Sequence, residues 1–216
     1  MKLNAKFENK KILLVSAWEP EQHTLKQTLQ NCENIHFLLT GIGSLRATQR
    51  VTLALAQKKF DLVLFCGTAG AYNSAADLSK VFACQKTLWS DGAVLLGKSY
   101  IPPHQNLTET LECTEDFAFK IPHAFALCLP SITTDENLAA ECARHADLEH
   151  LELFGVALAC QEFKIPWSGI LGVANIVHKN AHIQWKQNHV NASESAQQEL
   201  LNLLQQQTKV LRKVSG

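Results

Sequence analysis

Three polar residues lie at the ends of predicted strands or helices that are otherwise apolar, where a reaction centre can form. They are Glu21, Glu152 and Asn175. A carboxylate can accept hydrogen bonds from sugar hydroxyls or take a proton from water, and an amide can both donate and accept. Each residue also has an ordinary structural explanation. A glutamate at a helix start is favoured by the helix dipole, and an asparagine often caps a turn. The residue types by themselves leave both interpretations open.

The segment between Glu152 and Asn175 predicts a buried helix followed by a buried strand. Small apolar residues after Glu152 allow close backbone packing, and Pro166 ends the helix. Residues 170–173 form a short apolar run that is typical of a buried parallel strand. Ligands of open α/β sheets bind at the carboxyl ends of strands, which is where we expect Asn175.

The N-terminal part of the chain predicts a similar arrangement around Glu21. Residues 11–16 form an apolar run that indicates the first buried strand, and a helix follows to about residue 29. Glu19 and Glu21 lie between these elements. They are either solvated charges in the first helical turn or carboxylates at the end of a strand, where a ligand can reach them.

Two glycine-containing segments follow further predicted strands. Gly43 lies in a Gly-x-Gly turn between a strand at residues 36–40 and a helix at residues 45–58. Such a turn lets backbone N–H groups approach a ligand, but the third glycine of a dinucleotide-binding motif is missing. Residues 66–71, which include Thr68, are predicted as the terminal loop of a strand at residues 60–65.

The remaining sequence predicts one surface loop, one strand and two amphipathic helices. We expect a loop at residues 100–115, a strand at 124–129, a helix at 135–145 and a helix at 192–210. Residues 148–151 are expected to lead directly into Glu152.

Composition narrows the class of protein. The chain has 216 residues, 46% of them apolar and 19% charged, and its 20 basic and 20 acidic residues cancel. We therefore expect no nucleic-acid partner and no membrane partner. Seven cysteines without a Cys-x-x-Cys pair, and no signal peptide, indicate a reduced cytoplasmic compartment. His178, His182 and His189 lack the spacing of a zinc motif, so no metal is expected.

Taken together, these segments resemble the nucleoside phosphorylase and nucleosidase family. The glutamate at the helix start is preceded in that family by Met, for which Leu151 stands here, and is followed by a proline at the helix end. The Gly-Thr-Ala-Gly sequence at residues 67–70 and the Ala-Trp-Glu-Pro-Glu sequence at residues 17–21 match further family segments in the family's order. Within the family, the likeness is greatest to the futalosine hydrolases.

The resemblance implies a role for each matching residue. Glu21 would activate a water molecule, Glu152 would hold the ribose hydroxyls, and Asn175 would bind the purine leaving group. The other residues implied at the substrate are Gly43, Thr68, Ala69, Gly70, Thr133 and Leu151. No cofactor is implied.

Three departures from the family pattern bear on the activity. Phe65 stands where phosphorylases commonly have a phosphate-binding arginine, which favours water as the nucleophile. Leu171 replaces another usual arginine, and the usual Val-Gly-Asp sequence is lost near residues 76–80. A methylthioadenosine/S-adenosylhomocysteine nucleosidase and a catalytically inactive nucleoside-binding protein therefore remain open alternatives.

The resemblance also implies the architecture. Residues 1–216 are expected to form a single α/β domain, in which helices flank a central twisted mixed β-sheet. Relatives are commonly dimers or larger, so a homo-oligomer is expected, with a small purine nucleoside as the ligand.

Overall fold

A computed structural model describes residues 3–74, 76–102 and 110–205 of the chain. Within them, apolar runs form a mixed sheet of eight strands: β1 (Ile12–Ser16), β2 (Ile35–Leu39), β3 (Leu62–Ala71), β4 (Val81–Trp89), β5 (Leu111–Glu112), β6 (His123–Cys128), β7 (Leu148–His150) and β8 (Trp167–Ile176).

Seven α-helices and one 3-10 turn (Glu19–Gln22) connect these strands in the described part of the chain. The helices are α1 (Ala5–Glu8), α2 (His23–Leu29), α3 (Ser44–Gln57), α4 (Gly92–Leu95), α5 (Glu136–Cys142), α6 (Leu153–Glu162) and α7 (Ala181–Leu204). No helix among these residues is long and apolar enough to cross a membrane, because the 24 residues of α7 are mostly polar.

The sheet order is β2-β1-β3-β7-β6-β4-β5, and β8 pairs with both β3 and β4. Strands β1, β2, β3 and β8 run parallel, whereas β8 pairs antiparallel with β4 and β3 pairs antiparallel with β7. The pairings β3–β8–β4–β6–β7–β3 therefore form a closed ring. The expected α/β architecture with a mixed sheet and flanking helices is confirmed, and the ring closure is an addition that the sequence pattern did not predict.

Both faces of the sheet are covered, which explains why its central strands are continuously apolar. Val63 and Phe65 pack in a core that includes residues of α3 and α6, whereas Leu62 and Leu64 pack in a core that includes residues of α2 and α7. All four side chains are fully buried. Alternating residues of one strand thus serve two cores, as expected for a parallel strand buried on both sides.

Several predicted boundaries are wrong, and long-range strand pairing accounts for most of the differences. Residues 66–71, predicted as a loop, belong to β3, because β8 and β7 supply hydrogen-bonding partners along them. Residues 148–150 likewise form β7 rather than a simple connection. The strand predicted at 170–173 extends over all ten residues of β8.

Two other predictions are changed in part. Leu111 and Glu112, placed in the predicted loop at residues 100–115, form β5 against β4, while residues 103–109 lie outside the described part of the chain. The last helix begins at Ala181 instead of residue 192. Residues 206–210 of that predicted helix lie beyond the described residues. Asp135 caps α5, because its side chain accepts a hydrogen bond from the Leu138 N–H.

Candidate active site

A cavity of about 400 Å³ lies near the carboxyl ends of β1, β3 and β8. Its wall is mainly apolar, with three carboxylates, one amide and one hydroxyl among the lining side chains. The lining residues are Ala17, Trp18, Glu21, Ile42, Thr68, Ala69, Gly70, Ile132, Glu149, His150, Leu151, Glu152, Asn175, Ala181, His182 and Trp185. A concave apolar site with a few convergent polar groups is the usual form of a small-molecule site.

Glu21 is held rigidly at the base of this cavity by the turn that follows β1. The residue is only 4% exposed to solvent. One oxygen accepts from the Ala17 N–H at 3.2 Å, and the other accepts from the Thr68 N–H at 3.1 Å and the Thr68 hydroxyl at 3.2 Å. Burial raises the pKa of Glu21 to about 8, and the nearby charge of Glu152 adds to this effect. The carboxyl is thus poised to exchange a proton near neutral pH.

Thr68 connects Glu21 to a side chain that arrives from the distant helix α7. The Trp185 indole N–H donates to the Thr68 hydroxyl at 3.3 Å, and that hydroxyl donates in turn to Glu21. Both hydrogen-bond donors of Thr68 therefore bind the carboxylate in this structure. The implied role of Thr68 at the substrate stays a prediction.

Glu152 enters the cavity from the first turn of α6, where it is the N-terminal flanking residue. Its carboxylate accepts a 2.8 Å hydrogen bond from the Gly43 N–H, and the Ser44 hydroxyl donates to the Leu151 carbonyl at 2.6 Å. Gly43 has a φ of +94°, a conformation that glycine adopts without the strain other residues would suffer. Burial raises the pKa of Glu152 to about 7. The Gly-x-Gly turn thus fixes the orientation of the carboxylate.

His150 is a neutral hydrogen-bond acceptor and forms no ion pair with Glu152. Its Nδ1 atom accepts from the N–H groups of Glu152 and Leu153, both at 3.0 Å, so the ring proton must reside on Nε2. Burial lowers the pKa of His150 to about 3. The 3.5 Å approach of Nδ1 to the Glu152 carboxylate is therefore a contact with a neutral ring, and it leaves the carboxylate negative when ionised.

Asn175 lies one residue before the end of β8 and is 6% exposed. Its side-chain NH₂ donates to the Ile176 carbonyl at 3.1 Å, which uses one of its two protons. In the described part of the chain, no other hydrogen bond of this side chain is present, so its second amide proton and its oxygen can bind a ligand. The local hydrogen bond to the backbone fits a turn-capping role, so that alternative stays open beside the predicted role in binding the purine.

Aromatic rings from two elements form one side of the cavity. Trp185 stacks on His189 with ring centroids 4.4 Å apart, and its centroid lies 6.0 Å from that of Trp18 and 5.9 Å from that of His182. Because the rings come from the β1–α2 connection and from α7, only the folded chain brings them together. This surface suits a flat or apolar substituent on the ligand.

The structure brings most of the sequence-predicted site residues into one place. Those that line the cavity are Glu21, Thr68, Ala69, Gly70, Leu151, Glu152 and Asn175. Gly43 and Thr133 do not line it, but each donates a backbone hydrogen bond to a lining carboxylate, Gly43 to Glu152 and Thr133 to Glu149.

Sequence reasoning missed Glu149 and His150, because residues 148–151 read as a connecting segment. The signal that could have found them is a glutamate and a histidine in an otherwise apolar run directly before the helix at Glu152. Among the described residues, no group of three His, Cys, Asp or Glu side chains is arranged to hold a metal ion.

Comparison with known proteins agrees with this geometry. No family model matches the chain. The 5'-methylthioadenosine/S-adenosylhomocysteine nucleosidase of Buchnera aphidicola subsp. Schizaphis graminum is 22% identical over 209 residues, which cover 82% of this chain and 89% of the relative.

Solved structures share the fold at lower sequence identity. The Helicobacter pylori 5'-methylthioadenosine/S-adenosylhomocysteine nucleosidase superposes with a TM-score of 0.80 at 14% identity, covering 90% of this chain and 97% of that one. The native futalosine hydrolase of the same species gives 0.78 at 14% identity, with 90% and 97% coverage. The Colwellia psychrerythraea nucleosidase, solved with adenine, gives 0.77 at 16% identity, with 90% and 94% coverage.

The fold is therefore that of the nucleoside phosphorylases and nucleosidases. The sequence match to a nucleosidase supports the same family, in agreement with the resemblance drawn from the motifs. The relatives themselves are named as nucleosidases and a futalosine hydrolase, which agrees with the expected N-glycosidic hydrolase activity.

Proposed function

We propose that the protein hydrolyses the N-ribosidic bond of a 6-oxopurine nucleoside of the futalosine type and releases hypoxanthine. The observation that carries the proposal is the convergence of Glu21, Glu152 and Asn175 on one buried cavity. These are the three groups that the reaction needs: a base for water, an acceptor for the sugar, and a hydrogen-bond donor for the departing purine.

In the proposed reaction, Glu152 binds the sugar. Its carboxylate accepts hydrogen bonds from the 2′- and 3′-hydroxyls while the Gly43 N–H keeps it oriented. As the C1′–N9 bond breaks, positive charge develops on the ribosyl ring. A preoriented carboxylate in a poorly solvated cavity stabilises such a charge more than it would in water.

Glu21 acts as the general base in the same proposal. A water molecule beside Glu21 attacks C1′, its proton passes to the Glu21 carboxylate, and the electrons of the C1′–N9 bond leave with the purine. The departing purine takes a proton from solvent on its nitrogen, and Glu21 returns its proton to solvent. With a pKa of about 8, a minority of Glu21 is ionised at neutral pH, and this ionised form is the base that the reaction uses.

Hydrolysis fits the cavity better than phosphorolysis. Phosphate binding requires cationic or multiple hydrogen-bond donors. Phe65 is fully buried where phosphorylases commonly have arginine, and no lysine or arginine lines the cavity among the residues that the structure describes. His150 adds no positive charge, because burial keeps it neutral.

Asn175 supports the choice of a 6-oxopurine. Its free amide proton can donate to N7 or O6 of hypoxanthine, whereas a carboxylate at this position would repel O6. An adenine-specific methylthioadenosine/S-adenosylhomocysteine nucleosidase is the second candidate, favoured by the match to the Buchnera aphidicola relative. A nucleoside-binding protein without activity is the third, because buried Leu171 replaces a usual arginine.

The test is incubation with purine nucleosides carrying different 5′-substituents, with and without phosphate, followed by chromatography of the products. We expect free hypoxanthine and free sugar at a rate that does not depend on phosphate. Release of adenine alone would support the second candidate. Binding of nucleosides without release of base at any pH from about 5 to 9 would support the third.

We also propose that the protein assembles as a homodimer or larger oligomer that covers the cavity mouth. Ile42 and Ile132 line the cavity yet remain 71% and 48% exposed, and Leu45 nearby in sequence is 89% exposed. Light scattering coupled to size exclusion tests the assembly, and a monomer at micromolar concentration contradicts it.

A further inference from the structure

Glu149 is a buried carboxylate in the cavity wall that the proposed mechanism does not use. The residue is 5% exposed, and its carboxylate oxygens accept from the Thr133 N–H at 3.1 and 3.3 Å. It forms no ion pair with any residue that the structure describes. Burial raises the pKa of Glu149 to about 7. Hydrogen bonds from Thr133 lower the pKa, but by less than burial raises it. Thr133 is the donor to this carboxylate among the described residues, so Glu149 can accept a further hydrogen bond from a ligand in the cavity.

The strand register places Glu149 opposite Asn175. Gly70 of β3 pairs with Glu149 of β7 on one side and with Asn175 of β8 on the other. Residues in register point to the same face of a sheet, and both side chains line the cavity. Since neighbouring strands lie about 4.8 Å apart, the two backbones are separated by roughly 10 Å.

Gly70 leaves the space between these two side chains open. A Cβ atom at position 70 would lie 2.9 Å from the Asn175 Nδ2 atom, so any larger residue would press on the amide. The floor between Glu149 and Asn175 is therefore bare backbone. A flat base can lie over it, with one edge toward Asn175 and the opposite edge toward Glu149.

We propose that Glu149 determines base specificity by accepting the N1–H of a 6-oxopurine, a proposal that rests on the function proposed above. In a 6-oxopurine N1 carries a proton, whereas in adenine N1 is an acceptor that an ionised carboxylate repels. Asn175 contacts the N7 and O6 edge, and Glu149 contacts the N1 edge. The hydrogen bond from N1–H also favours the ionised form of Glu149 in the complex.

A structural role for Glu149 predicts a different result. If the carboxylate only holds residues 131–134 in place through Thr133, its removal would weaken binding of every base to a similar degree. If Glu149 instead recognises the base, the loss of affinity depends on whether the ligand carries a proton at N1. The ratio of affinities for two ligands that differ at N1 therefore separates the two roles.

The experiment is calorimetric titration of the full-length protein with hypoxanthine, 1-methylhypoxanthine and adenine. Free bases are used because their binding requires neither hydrolysis nor a particular 5′-substituent. We expect the wild type to bind hypoxanthine at least about tenfold more tightly than either other base. Glu149→Ala is expected to bring the ratio of hypoxanthine to 1-methylhypoxanthine affinity close to one, and Glu149→Gln to retain part of it through its amide oxygen.

Glu162→Gln is the matched control, because it removes an exposed carboxylate at the end of α6. It should bind all three bases as the wild type does, and thermal unfolding should show that each variant is folded. An unchanged affinity ratio in Glu149→Ala would overturn the proposal, as would tighter binding of adenine than of hypoxanthine, or no binding of hypoxanthine, by the wild type.

This result is independent of the test for activity. If the protein releases purine from nucleosides but the base preference does not change in the Glu149 variants, the hydrolase function is supported and the specificity role of Glu149 is wrong. If hypoxanthine binding depends on Glu149 but no nucleoside is hydrolysed, the base-binding site is supported and the hydrolase function is wrong.

Discussion

At the scale of single residues, the cavity gathers three carboxyl groups in surroundings that oppose their ionisation. The pKa of Glu21 is raised to about 8 and those of Glu149 and Glu152 to about 7, with burial as the main cause in each case. Structural carboxylates in proteins are usually paired with a cation or with several donors. Glu21 has three such donors from the protein, whereas Glu149 and Glu152 accept from the Thr133 and Gly43 N–H groups. Carboxyl groups with raised pKa values around one cavity are typical of a functional site.

The role of Glu21 is tested by Glu21→Gln, which keeps the shape of the side chain but removes the base. Loss of a general base typically lowers turnover by about 10²–10⁴-fold. We expect a fall of that size in Glu21→Gln, with the affinity for the substrate largely retained. Glu19→Gln is the control, since Glu19 lies in the same turn with a side chain 54% exposed. Steady-state kinetics of both variants measure the effect. Turnover of Glu21→Gln within about threefold of wild type would mean that Glu21 does not take the proton.

The role of Asn175 is tested by Asn175→Asp. A carboxylate there would repel O6 of hypoxanthine but could accept from the amino group of adenine, so we expect the preference to shift toward adenine nucleosides. One unsatisfied buried polar group costs about 1–3 kcal/mol, which corresponds to roughly a 5- to 150-fold change in the ratio of kcat/KM values. Asn202→Asp adds the same charge at an exposed site on α7 and should leave the ratio unchanged. If Asn175→Asp does not change the ratio of kcat/KM values, Asn175 does not recognise the base.

At the scale of elements, the turn between β2 and α3 and the start of α6 act as one unit. The Gly43 N–H holds the Glu152 carboxylate, and the Ser44 hydroxyl holds the Leu151 carbonyl. The sugar-binding carboxylate is thus oriented by a segment more than a hundred residues away in sequence. A change in the turn should therefore alter the site without touching the ligand.

Gly43→Ala tests this connection. A side chain at φ +94° strains the backbone, which typically costs about 1–3 kcal/mol, and the strain should displace the N–H that Glu152 accepts. We expect lower stability in urea together with a lower kcat/KM. Gly41→Ala provides the control, because Gly41 also has a positive φ, +78°, but makes no hydrogen bond to Glu152 in this structure. Equal loss of kcat/KM in both variants would mean that strain alone is responsible.

At the scale of the whole molecule, the buried carboxyl groups make the stability of the ligand-free protein depend on pH. Glutamate in the unfolded chain ionises near pH 4.5, so at pH 7 the folded state binds more protons than the unfolded state. Stability therefore falls as pH rises through the folded pKa values. The neutral His150 has the opposite effect, but mainly below its ordinary pKa of 6.5, where the unfolded chain gains a proton.

We expect the free energy of unfolding to fall by about 1–2 kcal/mol between pH 7 and pH 8, on the scale of 1.4 kcal/mol per pH unit for each proton. Urea unfolding followed by circular dichroism at the two pH values measures the change. Glu21→Gln should reduce the dependence, because the amide does not titrate. Stability that rises from pH 7 to pH 8 would contradict the raised pKa values.

Much of this fold could be predicted from local pattern. Apolar runs located β1, β2, β6 and the first half of β3, and Pro166 marked the end of α6 within a few residues. The order of the short motifs also indicated Glu21, Thr68, Glu152 and Asn175, all of which line one cavity. These features are local because they depend on the polarity and conformational preferences of neighbouring residues.

The tertiary structure decided what those residues contact. Residues 66–71 have glycines and a threonine typical of a loop, yet pairing with β8 and β7 makes them part of β3. The same closure of the sheet turns Glu149 and Asn175 toward one space, and the long helix α7 brings Trp185 to Thr68. The sequence by itself determined most of the segments that become strands and helices and the residue types that stand at their ends. Only the folded chain determined which of those ends meet, because pairing between distant strands depends on partners that no local pattern contains.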